Sequence, residues 1–354
     1  MKRLVLTKDE LTAWVRRMTE GVKVFAPVAV GDYDEFRLVD SDQADLIRWS
    51  YQNTRLSPKG LFHPQAERMF KFSTSKEDPE WNILKEVPKD FSPRVIVGMR
   101  PCDAAALKIM DVNFDTPEYK DPWWVRRRKA TTIVGLACTS PSSTCFCTSV
   151  NSGPFDTKGL DVLLVPLGGG RFLLEVVSER GEELCQQFGP GGKEADSEAI
   201  ATYEELKKKA EAALVPIGDL SPFKERDMLE FFNSPIWDEV QFACINCGVC
   251  TYLCPTCWCF DIQDEVYESE GCRLRLWDSC MFPLFTLHGS GHNPRAEKLQ
   301  RVRQRFMHKL KYYVDKYGQG VACVGCGRCV QFCPVNIDIR EVIRLMLVQC
   351  ECAV

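Results

Sequence analysis

The chain has 354 residues, 45% hydrophobic and 27% charged, with a formal net charge of −4. This is the make-up of a soluble globular protein with a sizeable core, and it excludes bulk attraction to nucleic acid or an anionic membrane. No apolar stretch approaches the roughly 18 residues of a membrane span, and Lys8, Asp9 and Glu10 interrupt any secretory apolar segment, so a cytoplasmic protein is expected.

Residues 1–222 read as an α/β domain. Thr7-Lys8-Asp9-Glu10 is a capping-box start for a first helix. Lys23–Val30 is an expected strand. Arg94–Met99 and Thr131–Ala137 are short, β-branched and nearly all apolar, as central strands covered on both faces are. Asp161–Pro166 and Phe172–Val177 flank Gly168-Gly169-Gly170 and read as a hairpin. A polar break at Gly189–Lys193 and a Lys/Glu/Ala-rich helix near 201–214 make 188–222 the boundary region. Beyond it the strand signals stop. The fold class expected is α+β, with the α/β domain followed by an all-helical, ferredoxin-like domain over residues 223–354.

Nineteen cysteines are the anomaly. In a reducing compartment, clustered cysteines hold metal or do redox work. Cys244-x₂-Cys247-x₂-Cys250-x₃-Cys254-Pro255 recurs as Cys323-x₂-Cys326-x₂-Cys329-x₃-Cys333-Pro334. Three thiolates at this spacing wrap one cubane, and the fourth ligates the other cluster in two-cluster ferredoxins. One [4Fe–4S] cluster is therefore assigned to Cys244, Cys247, Cys250 and Cys333, and a second to Cys323, Cys326, Cys329 and Cys254. A zinc ribbon has no use for the third cysteine or the Cys-Pro ending. The 79 residues from Cys244 to Cys323 enclose an insert that reads as helical, which resembles the helical dicluster domain of succinate dehydrogenase iron–sulfur subunits. Its basic residues Arg295, Lys298, Arg301, Arg303, Arg305, Lys309 and Lys311 form either a solvated face or a counter-charge to the clusters or an acidic partner.

A second group lies in the first domain. Cys102 and Asp103 follow one apolar strand, and Cys138, Cys145 and Cys147 follow another. Ligands of open α/β sheets bind beyond the carboxyl ends of the strands, and four thiolates suffice for a third cluster. The alternative is four small buried side chains. Asp103 could be a ligand or could equally cap the helix Ala104–Met110, and the cap is expected. Cys185 reads as packing. Cys257, Cys259, Cys272 and Cys280 complete no ligand set by spacing, and Cys350 and Cys352 receive no role. The four histidines (His63, His288, His292 and His308) make a His-rich metal site unexpected.

RPCDAAAL, DPWW, the Cys138–Cys147 segment, CPTCWCFD, GHNPR, RxRxRxxHK and CVGCGRCVQFCPVNIDI together resemble the iron–sulfur β subunits of cytoplasmic sulfhydrogenases and, equally, the iron–sulfur subunits of anaerobic sulfite reductases. Related chains accompany heterodisulfide-reductase-type complexes. The resemblance implies an electron wire with two partners: a flavoprotein that binds FAD and NAD(P), and a catalytic subunit for hydrogen, sulfite or a disulfide. The chain has no G-x-G-x-x-G after a strand and no P-loop, in keeping with that division of labour. Two other readings stand beside it. In one the chain is itself a reductase, with substrate reacting at the N-terminal cluster. In the other it is a redox sensor or scaffold.

Overall fold

The computed structural model describes residues 2–348. Strand β1 (Arg3–Thr7) leads into helix α1 (Lys8–Gly21). The capping box forms: the Glu10 amide donates to Thr7 Oγ1 at 3.2 Å, and the Thr7 amide donates to Glu10 Oε2 at 2.8 Å. Next come β2 (Lys23–Val30), β3 (Tyr33–Val39), β4 (Ala66–Ser73), β5 (Lys85–Glu86) and β6 (Arg94–Met99). Helices α2 (Pro101–Phe114) and α3 (Pro122–Lys129) precede β7 (Thr131–Leu136). Strands β8 (Val162–Gly168) and β9 (Arg171–Val176) form the expected hairpin, followed by α4 (Glu179–Phe188), β10 (Lys193–Glu194) and α5 (Ser197–Ala212).

These strands, apart from β4 and β5, make one sheet in the order β10-β1-β9-β8-β7-β6-β2-β3. Its centre, β2-β6-β7-β8, is parallel, and antiparallel pairs close both edges. Every residue of β6 is buried. Alternation sends Val95 and Val97 against Trp14, Val15 and Met18 of α1, and Ile96 against Leu107 and Met110 of α2. The all-apolar run is thus a strand with helices on both faces. Strands β6 and β7 are neighbours, so the segments that leave their carboxyl ends emerge side by side. Arg100 ties those ends together, donating from Nη1 to the carbonyls of Leu136 (3.1 Å) and Ala137 (2.6 Å) and from Nε to that of Gln52 (2.8 Å).

The remainder is richer in helix. It runs through α6 (Pro222–Glu225), α7 (Met228–Phe232), α8 (Ile236–Phe242) and α9 (Val249–Tyr252). It resumes with α10 (Lys298–Met307), a π-helical turn (His308–Tyr312), α11 (Tyr313–Tyr317), α12 (Arg328–Gln331) and α13 (Ile339–Val348). Trp237, Val302, Phe306 and Ile343 are among the residues of its core. Cys350 and Cys352 lie outside the described residues.

The expectation of an all-helical second part is corrected here. The insert between the two cysteine motifs carries a hairpin, β11 (Phe260–Tyr267) and β12 (Glu270–Trp277), and β12 pairs antiparallel with β4. A four-stranded sheet, β11-β12-β4-β5, results. The physical reason is charge. Cys272, Leu274 and Leu276 alternate with Arg273 and Arg275, a strand period hidden behind arginines. Arg275 is buried all the same, because its Nη2 lies 2.5 Å from Glu67 Oε2 on β4 and it also pairs with Asp121. Arg127 completes the network on the other Glu67 oxygen.

Candidate iron–sulfur centres

The two cysteine loops repeat in conformation as well as in sequence. Asn246 and Gly248 have φ of 55° and 75°, and Gly325 and Gly327, at the same places in the second copy, have φ of 62° and 75°. The left-handed region suits glycine and is tolerated by asparagine. This curl turns an amide onto the first sulfur of each motif. The Asn246 amide donates to Cys244 Sγ at 3.4 Å, and the Gly325 amide donates to Cys323 Sγ at 3.4 Å. The Ile337 amide does the same for Cys333 Sγ at 3.3 Å. Such amide–sulfur bonds are one means by which a protein sets a cluster's potential.

Cys244, Cys247 and Cys250 line one cavity together with Cys333, and Cys329 and Arg305 stand at its wall. That is three thiols of one motif and the last thiol of the other. The complementary group is also present. Cys323, Cys326 and Cys329 each lie close enough to Cys254 to feel its charge. Burial pushes the Cys323 and Cys326 thiols up to about 12. Coordination removes that obstacle, since a metal-bound thiol is deprotonated outright.

The cations fit an anionic cofactor. Arg305 is 5% exposed, and among the described residues it has no carboxylate partner and its Nε has no hydrogen-bond acceptor. Lys309, one helical turn on and 4% exposed, donates to Cys254 Sγ at 3.2 Å, Thr256 Oγ1 at 2.8 Å and the Ala322 carbonyl at 3.2 Å. Burial works against the charge of both, and the neighbouring sulfurs oppose that effect: Cys250 and Cys329 beside Arg305, Cys254 and Cys257 beside Lys309, which carry negative charge once they bind metal. An isolated buried cation costs several kcal/mol, so these side chains match negatively charged clusters. The rest of the basic segment does other work. Arg301 binds the carbonyls of Arg295 (3.0 Å) and Ala296 (2.6 Å), Arg303 stacks 3.6 Å from the Phe232 ring centre, and Lys311 pairs with Asp315.

The N-terminal cysteines come to the same place. Cys102 lies in the first turn of α2, just past β6, and Cys138 lies just past β7. The chain then returns through Cys145 and Cys147 and packs on the second motif. The Phe146 amide donates to the Gly325 carbonyl at 2.9 Å, and Cys145 Sγ lies 3.5 Å from the Cys326 carbonyl oxygen. The approach is tight: a Cβ on Gly325 would sit 2.5 Å from the Cys147 nitrogen. Cys147 feels the charges of Cys145 and Cys138, and Cys102 feels those of Cys326 and Cys147. Burial raises the Cys145 thiol to about 11 and the Cys147 thiol to about 12. The four thiols are therefore gathered, against the loop of the second motif.

Residues 243–337 match the family described as a 4Fe-4S dicluster domain. The whole chain is 33% identical over 346 residues to sulfhydrogenase 2 subunit beta of Pyrococcus furiosus, covering 97% of this chain and 98% of that one. The chain belongs to the sulfhydrogenase beta-subunit family. Its cofactors are two [4Fe–4S] clusters. No solved structure matches the chain.

Two site residues of this family member escaped the sequence reading. Arg328, between Cys326 and Cys329, is fully buried and makes a two-pronged pair with Asp103, Nη1 to Oδ1 at 2.7 Å and Nη2 to Oδ2 at 2.8 Å. Its Nε donates to the Thr54 carbonyl at 2.9 Å. Asp103 is thus not a cap: it lies inside α2, whose N-cap is Arg100, and it binds Arg328 and Ser57 Oγ (3.0 Å). Lys59 is the other. It is 2% exposed and donates to the carbonyls of Cys254 and Cys257, at 2.8 Å each. An aspartate two residues after Arg-Pro would hint at the first. Nothing in Pro58-Lys59-Gly60 signals the second. His63 is caged by Phe114, Phe260 and Trp277, and burial followed by nearby Arg275 and Lys59 lowers it to about 3, a neutral structural ring. Cys185 packs in the sheet core, and Cys272 sits on β12 opposite Lys71.

Proposed function

We propose that this chain is the electron-relay subunit of a multisubunit oxidoreductase, passing single electrons between a flavoprotein that binds FAD and NAD(P) and a catalytic subunit of hydrogenase, sulfite reductase or heterodisulfide reductase type. The observation that carries this is the crossed grouping of thiols: Cys333 with Cys244, Cys247 and Cys250, and Cys254 with Cys323, Cys326 and Cys329. The clusters supply one-electron oxidation and reduction when bound. The chain's own residues hold them side by side, with Arg305 in reach of Cys250 from the first set and Cys329 and Cys254 from the second. We assign Cys102, Cys138, Cys145 and Cys147 to a third cluster, and residues 223–354 to the unit that carries the other two. Among the described residues no helix is long and apolar enough to cross a membrane, which accords with a cytoplasmic complex.

Burial of Cys145 and Cys147, each 7% exposed, speaks against the rival reading, in which a substrate reacts at the N-terminal group. The test is anaerobic mixing of the reconstituted chain with the reduced flavoprotein of its own complex. Bleaching of the iron–sulfur absorbance, and its recovery on addition of the catalytic subunit, supports a relay. Hydrogen evolution or sulfite reduction by the isolated chain contradicts it.

A further inference from the structure

Cys257, Cys259 and Cys280 have no part in the relay described above, yet the fold gathers them. Strand β11 begins immediately after Cys259, and β12 ends shortly before Cys280. The Asp278 amide donates to the Cys259 carbonyl at 3.0 Å, extending the ladder beyond the Phe260–Trp277 pair. Cys259 and Cys280 therefore meet at the base of the hairpin, their thiols close enough to act on each other. Cys257 stands two residues back on the same side, while Trp258 between them turns away onto His308 and Tyr313. Cys257 reaches Cys254 and lies close enough to Cys259 and Cys280 to interact with both. The hairpin thus has a structural purpose: it carries Cys280 back to the C-W-C segment.

A buried cation marks the same spot. The Lys59 amine is held by the carbonyls of Cys254 and Cys257 and lies 4.2 Å from the Trp277 ring centre. It has no carboxylate partner among the described residues; burial lowers its pKa, and the sulfurs of Cys257, Cys254 and Cys259 facing it work in the opposite direction. Lys309 faces Cys254 and Cys257 as well. A charge buried without an anion is costly, and iron-bound thiolates at these positions would supply the compensating charge.

We propose that Cys257, Cys259 and Cys280 are protein ligands of a further iron–sulfur cluster, packed beside Cys254 and neutralised by Lys59. Among the described residues no three thiol, imidazole or carboxylate groups are set to hold a single metal ion. A cubane spreads its thiolates over separate iron atoms, so the wider set suits a cluster. Three cysteines leave one iron for a non-cysteine ligand such as water. The location rests on the assignment of Cys254 to the second cluster, and the assignment of Cys102, Cys138, Cys145 and Cys147 stands or falls separately.

The experiment is iron and labile-sulfide analysis with Mössbauer spectroscopy of the full chain, reconstituted without oxygen. It compares the unaltered protein, a Cys259→Ala/Cys280→Ala double variant and a Cys145→Ala variant. The expected result is loss of about four irons in the double variant, with the signals of the crossed pair retained. Unchanged iron in the double variant overturns the proposal. Where the double variant does not fold, Cys280→Ser keeps an oxygen in place of the sulfur. An altered signature for one cluster then supports the site, and spectra identical to the unaltered protein refute it. Loss in Cys145→Ala alone sinks this site and leaves the N-terminal one standing; loss in the double variant alone does the reverse.

Discussion

At the scale of single residues, the site is built around buried cations that have too few carboxylates to match them. Asp103 and Arg328 are the exception, a bidentate pair closed off from solvent. Arg328→Met leaves the aspartate buried without a counter-charge, its remaining side-chain partner the Ser57 hydroxyl, which costs about 3–5 kcal/mol. Replacing both partners with apolar residues should recover most of that loss in urea unfolding of the reconstituted chain. Equal instability of the single and double variants would show that the pair is not the source. Lys309 acts differently. Its ammonium donates to Cys254 Sγ at 3.2 Å and stabilises the extra negative charge of a reduced cluster. Lys309→Met should lower the potential of one cluster by tens of millivolts, about 59 mV for each tenfold change in the one-electron equilibrium. An EPR-monitored titration measures this, and a rise in potential would contradict it. The eight motif cysteines stood out because their spacing repeats, and the structure groups their thiols in the crossed sets that spacing suggests. Lys59 and Arg328 did not, since each is defined by partners some two hundred or more positions away in the chain.

At the scale of elements, local signals were read well where they compete with nothing. Thr7 and Glu10 announce α1 by a side-chain exchange within one turn. The Thr7 hydrogen bonds hold the Glu10 carboxyl below its usual range. A depressed carboxylate contributes stability above its unfolded pKa, and that contribution is lost as pH falls through the folded one. Thr7→Ala should therefore cost about 1 kcal/mol at neutral pH, and the gap from the parent protein should narrow in acid denaturation series. A constant gap at every pH would remove Glu10 from the explanation. The β11–β12 hairpin was missed because its partner strand, β4, lies about two hundred residues earlier, and pairing across such a distance leaves no local mark. The loop at Gly325 joins the halves more sharply. With φ at 62° and no room for a Cβ against the Cys147 backbone, Gly325→Ala should push the Cys145–Cys147 loop off the second motif, a cost of roughly 1–3 kcal/mol. The check is loss of the iron proposed for Cys102, Cys138, Cys145 and Cys147, with the crossed pair retained. Full retention of both would show that the loops have room to give.

At the scale of the whole molecule, the parallel centre of the sheet delivers Cys102 and Cys138 to one edge, and the helical part delivers its second cysteine loop to the same edge. Chelation should consequently do more than bleach the protein. Under the crossed ligation proposed above, thiolates would pin segments far apart in sequence, so removal of iron should loosen the cysteine-bearing part before the sheet, in line with the coupling of metal binding to folding. Hydrogen exchange on chelated protein would show early loss of protection around α9, α12 and β11–β12. Uniform loss, including β6 and β7, would contradict that order. The α/β half was foreseeable because each central strand is an uninterrupted apolar run. The second half mixes helices with a charged hairpin whose arginines are neutralised only in the folded chain, by Glu67 and Asp121.

The most direct test of crossed ligation is EPR of four single variants of the reconstituted chain, Cys247→Ala, Cys333→Ala, Cys326→Ala and Cys254→Ala. The structure predicts that Cys247→Ala and Cys333→Ala abolish the same cluster signal, and that Cys326→Ala and Cys254→Ala abolish the other. If Cys333→Ala instead removes the signal lost in Cys326→Ala, each motif binds its own cluster and the two are not interlocked.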